Sequence, residues 1–146
     1  MSAKQKTLAQ IGCGYWGPNL LRNFSAQSDC RVKYVVDLSP ERRNYVETNF
    51  PRTQAITDLD TVLNDPEIDA VIISTPAASH YQLAKQALES GKHIFVEKPL
   101  ATSTKLADEL VGLAAARGLT LMAGHTFLYN AAVRYAKKLL DEGELG

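Results

Sequence analysis

The sequence has no excess of positive or negative charge, because its 16 basic and 16 acidic residues cancel. A balanced composition gives no electrostatic reason to bind a polyanion, so we expect no nucleic-acid partner. No apolar run reaches the length that crosses a bilayer, so we expect no membrane association. The two cysteines, Cys13 and Cys30, form neither a C-x-x-C pair nor a metal-ligand spacing. We therefore expect a reduced, cytoplasmic setting and no metal site.

What is present is typical of one globular domain. The chain has 146 residues, of which 45% are hydrophobic and 22% are charged. This length is sufficient to bury a substantial core, and the composition is ordinary for such a domain.

The most informative stretch is the glycine-rich segment at 11–17, Ile-Gly-Cys-Gly-Tyr-Trp-Gly. It follows a short apolar run and precedes a segment with helical spacing, which is the context that the G-x-G-x-x-G pattern requires. Gly12 permits a sharp turn, Gly14 lets a pyrophosphate approach the backbone, and Gly17 allows close packing of helix on strand. We also expect the Gly14 backbone to have a conformation that is strained for other residues. The phosphates would lie at a helix N-terminus. The alternative is a glycine turn with a purely structural role.

A carboxylate at the end of the next apolar run favours the dinucleotide interpretation. Asp37 follows Val32–Val36 and lies twenty positions after Gly17. At this place a carboxylate accepts hydrogen bonds from the adenosine ribose, and it disfavours a 2′-phosphate. We therefore predict NAD as the cofactor, with NADP less favoured. Arg42 and Arg43 are either part of a solvated helix face or neighbours of the adenine.

Strands alternate with helices along the whole chain. We predict an α/β fold of the Rossmann type, a doubly wound parallel sheet of six strands in the order 3-2-1-4-5-6. Predicted strands lie near 8–11, 31–37, 54–57, 68–75, 93–96 and 119–123, and predicted helices near 16–27, 40–49, 58–63, 77–90, 103–117 and 130–142. We expect Ser39 to cap the second helix, with Pro40 at its first position, and either Thr102 or Ser103 to cap the fifth. Ligand sites of such sheets lie beyond the carboxyl ends of the strands. The conspicuous polar and glycine residues follow this rule: Gly12, Asp37, Thr75, Glu97, Lys98 and His125.

Three motifs in order resemble the Gfo/Idh/MocA oxidoreductases. They are the loop from Gly12 to Leu20, then Ser74-Thr75-Pro76 with His80, and then Glu97-Lys98-Pro99. The Tyr-Trp-Gly-Pro-Asn form of the loop, with Gly-His-Thr-Phe at 124–127, is similar to members that act on sugar nucleotides. The resemblance implies hydride transfer between a nicotinamide cofactor and a hydroxyl or keto carbon of a sugar or sugar nucleotide.

The resemblance also implies roles for individual residues. Lys98 would hydrogen-bond the substrate hydroxyl and be the catalytic residue, and the Lys98–Pro99 peptide bond is often cis in the family. The expected cofactor-binding residues are Gly12, Gly14, Tyr15, Trp16, Gly17, Asp37, Ser74, Thr75, Pro76, Glu97, Lys98 and His125. Without the family, Glu97-Lys98-Pro99 also fits a solvated turn.

The sequence leaves two roles open for each of three side chains. His80 is either an acid–base group or a locally hydrogen-bonded residue of a first helical turn, and we favour the second. His125 either contacts the nicotinamide and substrate or has a structural role. Cys13 is more plausibly a small packing group than a nucleophile.

Family members are about twice as long and carry a second α/β domain, which supplies the substrate pocket and the dimer surface. We therefore expect residues 1–128 to form the dinucleotide-binding domain and 129–146 to begin a linker helix toward the second domain. On this view the chain binds cofactor without turnover, and a homo-oligomer would form through the other domain. The alternative is a non-catalytic dinucleotide-binding module, acting as a sensor or as a subunit of an assembly.

Overall fold

A computed structural model describes residues 5–144 as a parallel sheet covered by helices on both faces. Its six strands have the order β3-β2-β1-β4-β5-β6, and every strand pair is parallel. The elements are β1 (Lys6–Ile11), α1 (Gly17–Ser25), β2 (Cys30–Val36), α2 (Pro40–Asn49), β3 (Gln54–Ile56), α3 (Leu59–Asn64), β4 (Ala70–Ile73), α4 (Ala77–Glu89), β5 (His93–Val96), α5 (Thr104–Ala116), β6 (Leu121–Ala123), a 3₁₀ turn (Thr126–Tyr129) and α6 (Ala131–Asp141). The predicted fold class and strand order are confirmed.

The core is divided between the two faces of the sheet, as the alternation of side chains along a strand requires. In β4, Val71 and Ile73 pack with α3, α4 and α5, whereas Ile72 packs on the other face with residues of α1 and α2. All three side chains are almost fully buried. Strands covered on both faces read as continuous apolar runs, which is why the run at 70–73 was recognisable from the sequence.

Local signals set most helix boundaries. Ser39 caps α2 by accepting a hydrogen bond from the Arg42 N–H, and Pro40 occupies the first helical position, as predicted. Ser103, one of two predicted caps, accepts from the Leu106 N–H at the start of α5. The 3₁₀ turn at Thr126–Tyr129 was not predicted, and β6 begins two residues later than predicted.

Ion pairs join β2 to the loop that precedes β4. The Lys33 ammonium lies 2.6 Å from an Asp65 carboxylate oxygen and 2.8 Å from a Glu67 oxygen. Hydrogen bonding to this ammonium holds the pKa of both carboxyls below their usual range. Stability from these pairs is present above the ordinary carboxyl pKa and is lost as the pH falls through the lowered values.

The segment that follows β6 has little burial of its own. Large apolar side chains of the 3₁₀ turn and α6 are exposed, namely Phe127, Leu128, Tyr129, Val133, Tyr135 and Leu140. No residue of α6 is buried. Asn130, the predicted helix start, caps α6 through hydrogen bonds from the Ala132 and Val133 N–H groups. Among the helices of residues 5–144, none has the length and hydrophobicity needed to span a bilayer.

Candidate functional site

The glycine turn connects β1 to α1 at the carboxyl edge of the sheet, where the strand order reverses. Gly12 has a φ of 89°, which L residues with a Cβ rarely adopt. A Cβ at this position would lie 2.9 Å from the Ser74 carbonyl oxygen and 2.9 Å from the Thr75 Cγ2. Gly12 therefore serves both the turn and the close approach of β4.

Gly17 and Gly14 have different roles in the same turn. A Cβ at Gly17 would lie 2.8 Å from the Gly12 carbonyl oxygen, so α1 can begin against the strand only if residue 17 has no side chain. A Cβ at Gly14 would meet nothing within 4 Å, and its φ is not positive. The expectation that the Gly14 backbone is strained for other residues was wrong. The open space beside Gly14 remains available to a ligand.

The side chain of Gln10 supports the glycine turn through hydrogen bonds, a role that was not predicted from the sequence. The side chain is fully buried in β1, and its Nε2 donates to the carbonyl oxygens of Gly12 (2.8 Å) and Gly17 (3.0 Å). The Ser74 hydroxyl also donates to the Gly12 oxygen, at 2.7 Å. These bonds hold the turn carbonyls toward the core. A polar residue inside the otherwise apolar run at 8–11 was the signal that could have indicated this role.

We expect Gln10→Glu to destabilise the domain by about 3 kcal/mol or more, because it removes both donors and buries a carboxylate against two carbonyl oxygens. Gln5→Glu is the matched control. The Gln5 Nε2 also donates to two backbone carbonyls, of Ser28 and Cys30, but the residue is exposed. Urea unfolding at neutral pH measures both changes, and equal losses would contradict the supporting role.

Asp37 links the glycine turn to the second helix. Its Oδ2 accepts from the Cys13 N–H at 2.7 Å, and its Oδ1 accepts from the Ser39 N–H at 2.9 Å. Each carboxylate oxygen keeps a second lone pair for a ligand hydroxyl. Arg43 donates to the carbonyl oxygens of Asp37 and Leu38, so its guanidinium is held by the loop that follows β2.

The Cys13 thiol is buried beneath the turn. Burial and the nearby Asp37 carboxylate raise its pKa to about 11, although the Arg42 guanidinium acts in the opposite direction. The thiolate is the nucleophilic form, so Cys13 is a packing residue and not a nucleophile at neutral pH.

Two cavities open along the carboxyl edge of the sheet. The cavity lined by Lys98, here called the lysine cavity, has a volume of about 530 Å³. The cavity lined by Asp37, here called the aspartate cavity, has a volume of about 430 Å³. They share four lining residues, Gly14, Ser74, Thr75 and Pro76. The lysine cavity is also lined by Tyr15, Trp16, Ala77, His80, Glu97, Lys98 and Thr126. The aspartate cavity is also lined by Ile11, Gly12, Val36, Asp37, Leu38, Thr57, Leu59, Ser79 and Leu83.

Most of the predicted site residues thus meet along one groove. Gly17 lies beneath it and lines neither cavity, in keeping with its packing role. His125 is exposed beyond β6 and lines neither cavity, whereas its neighbour Thr126 does. Leu38 and Thr57 line the aspartate cavity but were not predicted, although both follow the carboxyl ends of strands, as the predicted residues do.

In the lysine cavity, the carboxylate of Glu97 has one oxygen without a hydrogen-bond partner. The residue is 9% exposed, and its Oε2 accepts from the Lys98 N–H at 3.2 Å. Its Oε1 is buried and has no hydrogen-bond partner. Because buried polar atoms are ordinarily paired, this oxygen is suited to a ligand hydroxyl. A Cβ on Gly124 would lie 3.2 Å from it, so a glycine there leaves the carboxylate room.

Lys98 lies at the mouth of the same cavity. Its side chain is exposed, and among residues 5–144 the structure gives its ammonium no ion pair or hydrogen bond. The Lys98–Pro99 peptide bond is cis, as the resemblance implied. One cavity is therefore lined both by a lysine whose ammonium has no described partner and by a buried carboxylate oxygen that has none.

Two cavities joined by a shared strip are an arrangement that suits a dinucleotide. Its two cavities offer a place for each nucleoside, and the shared strip at Gly14 lies at the N-terminal end of α1, where the helix dipole favours phosphate. Asp37 and Glu97 place one carboxylate in each cavity, where each can accept from ribose hydroxyls. No group of three or more potential metal ligands occurs within residues 5–144.

Comparisons with known proteins agree with this geometry. The model of the oxidoreductase family with an NAD-binding Rossmann fold, GFO_IDH_MocA, matches residues 6–125. A 2,7-anhydro-N-acetylneuraminate hydratase of Mediterraneibacter gnavus is 36% identical over 138 residues, which cover 94% of this chain and 36% of the relative. A UDP-N-acetylglucosamine 3-dehydrogenase of Acidithiobacillus ferrooxidans is 34% identical over 128 residues, 88% of this chain and 39% of the relative.

Solved structures show the same fold. KijD10, a 3-ketoreductase of Actinomadura kijaniata in complex with TDP-benzene and NADP, superposes with a TM-score of 0.86 at 28% identity, covering 96% of this chain and 44% of that one. GenD2, from gentamicin A biosynthesis and in complex with NAD, has a TM-score of 0.83 at 31% identity, covering 88% and 37%. The chain thus spans about two fifths of the length of these relatives. It belongs to the Gfo/Idh/MocA oxidoreductase family and forms that family's NAD-binding Rossmann domain.

Proposed function

We propose that this domain binds NAD(H) across the two cavities and presents the nicotinamide for hydride transfer to or from a hydroxyl or keto carbon of a sugar or sugar nucleotide. The observation that carries the proposal is the pairing, in one cavity, of the unpartnered Glu97 Oε1 with the uncommitted Lys98 ammonium. Among residues 5–144 neither group has a hydrogen-bond or ion-pair partner, and together they suit a ribose hydroxyl and a reacting oxygen.

In this proposal the residues have distinct tasks. The adenosine lies in the aspartate cavity with its ribose on Asp37, and the pyrophosphate lies over Gly14. The nicotinamide ribose is held by Glu97, Thr75 and Pro76 in the lysine cavity. Lys98 donates a hydrogen bond to the substrate oxygen and stabilises the negative charge that develops there during hydride removal. The bound cofactor supplies or accepts the hydride.

The substrate class rests on the relatives. Those described above act on a sialic acid derivative and a UDP-sugar, or are a ketoreductase solved with a TDP compound. Since this chain matches about two fifths of their length, we propose that sugar recognition and homo-oligomer contacts come from a second domain. We propose that residues 129–146 begin the linker toward it. The two free cysteines suit a cytoplasmic location.

The proposal is tested in two steps. Trp16, the single tryptophan of the chain, lines the lysine cavity and reports cofactor binding by its fluorescence. Saturable quenching by NADH, with calorimetric confirmation, is expected of the 146-residue chain. Reduction of NAD by a panel of sugars and sugar nucleotides is then measured with a protein that includes the second domain. Binding without turnover in the longer protein would instead support the non-catalytic module.

Cofactor choice gives a separate prediction. We expect the chain to bind NADH about tenfold or more tightly than NADPH, because the Asp37 carboxylate accepts from a free 2′-hydroxyl and repels a 2′-phosphate. Asp37→Asn keeps one acceptor oxygen and removes the charge, so it should reduce this preference to about twofold or less. Calorimetric titration of both proteins with both cofactors measures the ratio. Equal or tighter NADPH binding by the unaltered chain would refute the prediction.

A further inference from the structure

His80 has an arrangement of hydrogen bonds that the proposed chemistry does not use. It lies in the first turn of α4, and its side chain is 1% exposed. The ring Nε2 is 2.8 Å from the Thr75 carbonyl oxygen, and the ring Nδ1 is 2.7 Å from the Pro99 carbonyl oxygen. Local hydrogen bonding, which we favoured over an acid–base role, is therefore what the structure shows.

Both partners are carbonyl oxygens, which only accept hydrogen bonds. A neutral imidazole has one N–H donor and one lone pair, so it can satisfy one of the two carbonyls while its lone pair faces the other. Rotating the ring by half a turn does not help, since it would direct C–H groups at both oxygens. Only the imidazolium form donates from both nitrogens.

The charged surroundings of His80 do not decide its protonation on their own. Glu97 and Lys98, which line the same cavity, have opposite charges. The N-terminal turn of α4 contributes partial positive charge, which disfavours a cation. Burial also disfavours it. The two short bonds to carbonyl oxygens are the interactions that favour the charged ring, because charge-assisted hydrogen bonds are about twice as strong as neutral ones.

We propose that His80 is held as an imidazolium at neutral pH and acts as a positioning residue, a cationic clamp between the end of β4 and the loop after β5. Thr75 belongs to the strip shared by the two cavities, and Pro99 follows Lys98 directly. The clamp thus fixes the distance between the shared strip and the residues Glu97 and Lys98. The proton assignment is independent of the proposed function, whereas the effect on a bound cofactor rests on it.

Nitrogen-15 NMR of the cofactor-free chain tests the proton assignment. At neutral pH both ring nitrogens of His80 should give imidazolium shifts, each coupled to a slowly exchanging proton. His93 is an internal control, because its Nδ1 accepts the Thr120 N–H at 2.9 Å and so must be unprotonated. A single protonated nitrogen in His80 would overturn the assignment.

The positioning role is tested by His80→Leu, which removes both donors and keeps the site apolar. In the free variant, amide hydrogen exchange at Glu97 and Lys98 should accelerate about tenfold, the ratio expected from losing one net hydrogen bond of roughly 1.4 kcal/mol. His93→Leu, at the opposite end of β5, is the matched control and should leave those two amides unchanged.

Cofactor affinity gives a second readout of the same variants. We expect His80→Leu to weaken NADH binding about tenfold and His93→Leu to leave it within about twofold. If His80→Leu does not fold, His80→Gln retains one donor and should show the same changes at smaller size. Unchanged exchange at Glu97 and Lys98 in a folded variant would overturn the clamp, whatever the chain does with NADH.

Discussion

Gly14→Val is expected to abolish dinucleotide binding, with a loss of at least about a hundredfold in affinity, while the domain remains folded. A Cβ at this position meets no atom within 4 Å, and its backbone is not in the left-handed region, so the fold tolerates a side chain. The added methyl groups would project into the strip that the two cavities share, where the pyrophosphate is proposed to lie.

Two further variants separate loss of binding from loss of fold. Gly112→Val changes another glycine whose Cβ would meet nothing within 4 Å, but this glycine lies in α5 and lines neither cavity. It should leave affinity unchanged. Gly17→Val should unfold or strongly destabilise the chain, because its Cβ would meet the Gly12 oxygen. Circular dichroism and calorimetry are measured together. Undiminished affinity in folded Gly14→Val would remove the glycine turn as the phosphate site.

Lys98→Ala is expected to lower kcat by about a hundredfold or more, roughly 3 kcal/mol, in a protein that includes the second domain. The ammonium would meet charge that develops on the substrate oxygen, not charge already present on the cofactor, so its effect belongs to the transition state. In the 146-residue chain the same change should leave NADH affinity nearly unaltered, since the ammonium has no substrate to contact.

Lys105→Ala is the matched control for this substitution. Lys105 is an exposed lysine in the first turn of α5 and lines neither cavity, so its loss should alter neither turnover nor affinity. Steady-state kinetics in the longer protein and titration in both lengths give the comparison. A loss confined to cofactor affinity would show that Lys98 contacts the cofactor instead of the substrate. Unchanged turnover would show that Lys98 has no catalytic role.

The parts of this structure that the sequence predicted depend on local or periodic signals. The apolar run at 70–73, the Ser39-Pro40 helix start and the glycine spacing at 12–17 each have a physical meaning within a few residues. The strand order followed from alternating elements and the handedness of their crossovers. Placement at strand ends then brought residues far apart in the sequence, such as Asp37 and Lys98, to one edge.

The parts that the sequence did not predict depend on non-local hydrogen bonds. Nothing near Gln10 in the sequence indicates that its amide reaches both Gly12 and Gly17, and nothing near His80 indicates that its ring reaches Pro99. The two bonds of Asp37 to Cys13 and Ser39 likewise require the turn and the second helix to be already in place. Such contacts are set by the packed fold rather than by propensity, which is why these hydrogen bonds were not predicted, whereas most of the predicted site residues do line the two cavities.

The shared strip between the two cavities has a consequence for molecules smaller than the whole cofactor. If the dinucleotide binds across both cavities as proposed, a compound that fills one cavity, such as adenosine monophosphate or nicotinamide mononucleotide, obtains the contacts of that side alone. Once either half of the dinucleotide is seated, the other half is tethered at an effective concentration in about the millimolar range, so its binding becomes an intramolecular event. The joined molecule should therefore bind with an avidity well above that of either fragment, and lengthening the linkage between its halves should weaken this advantage.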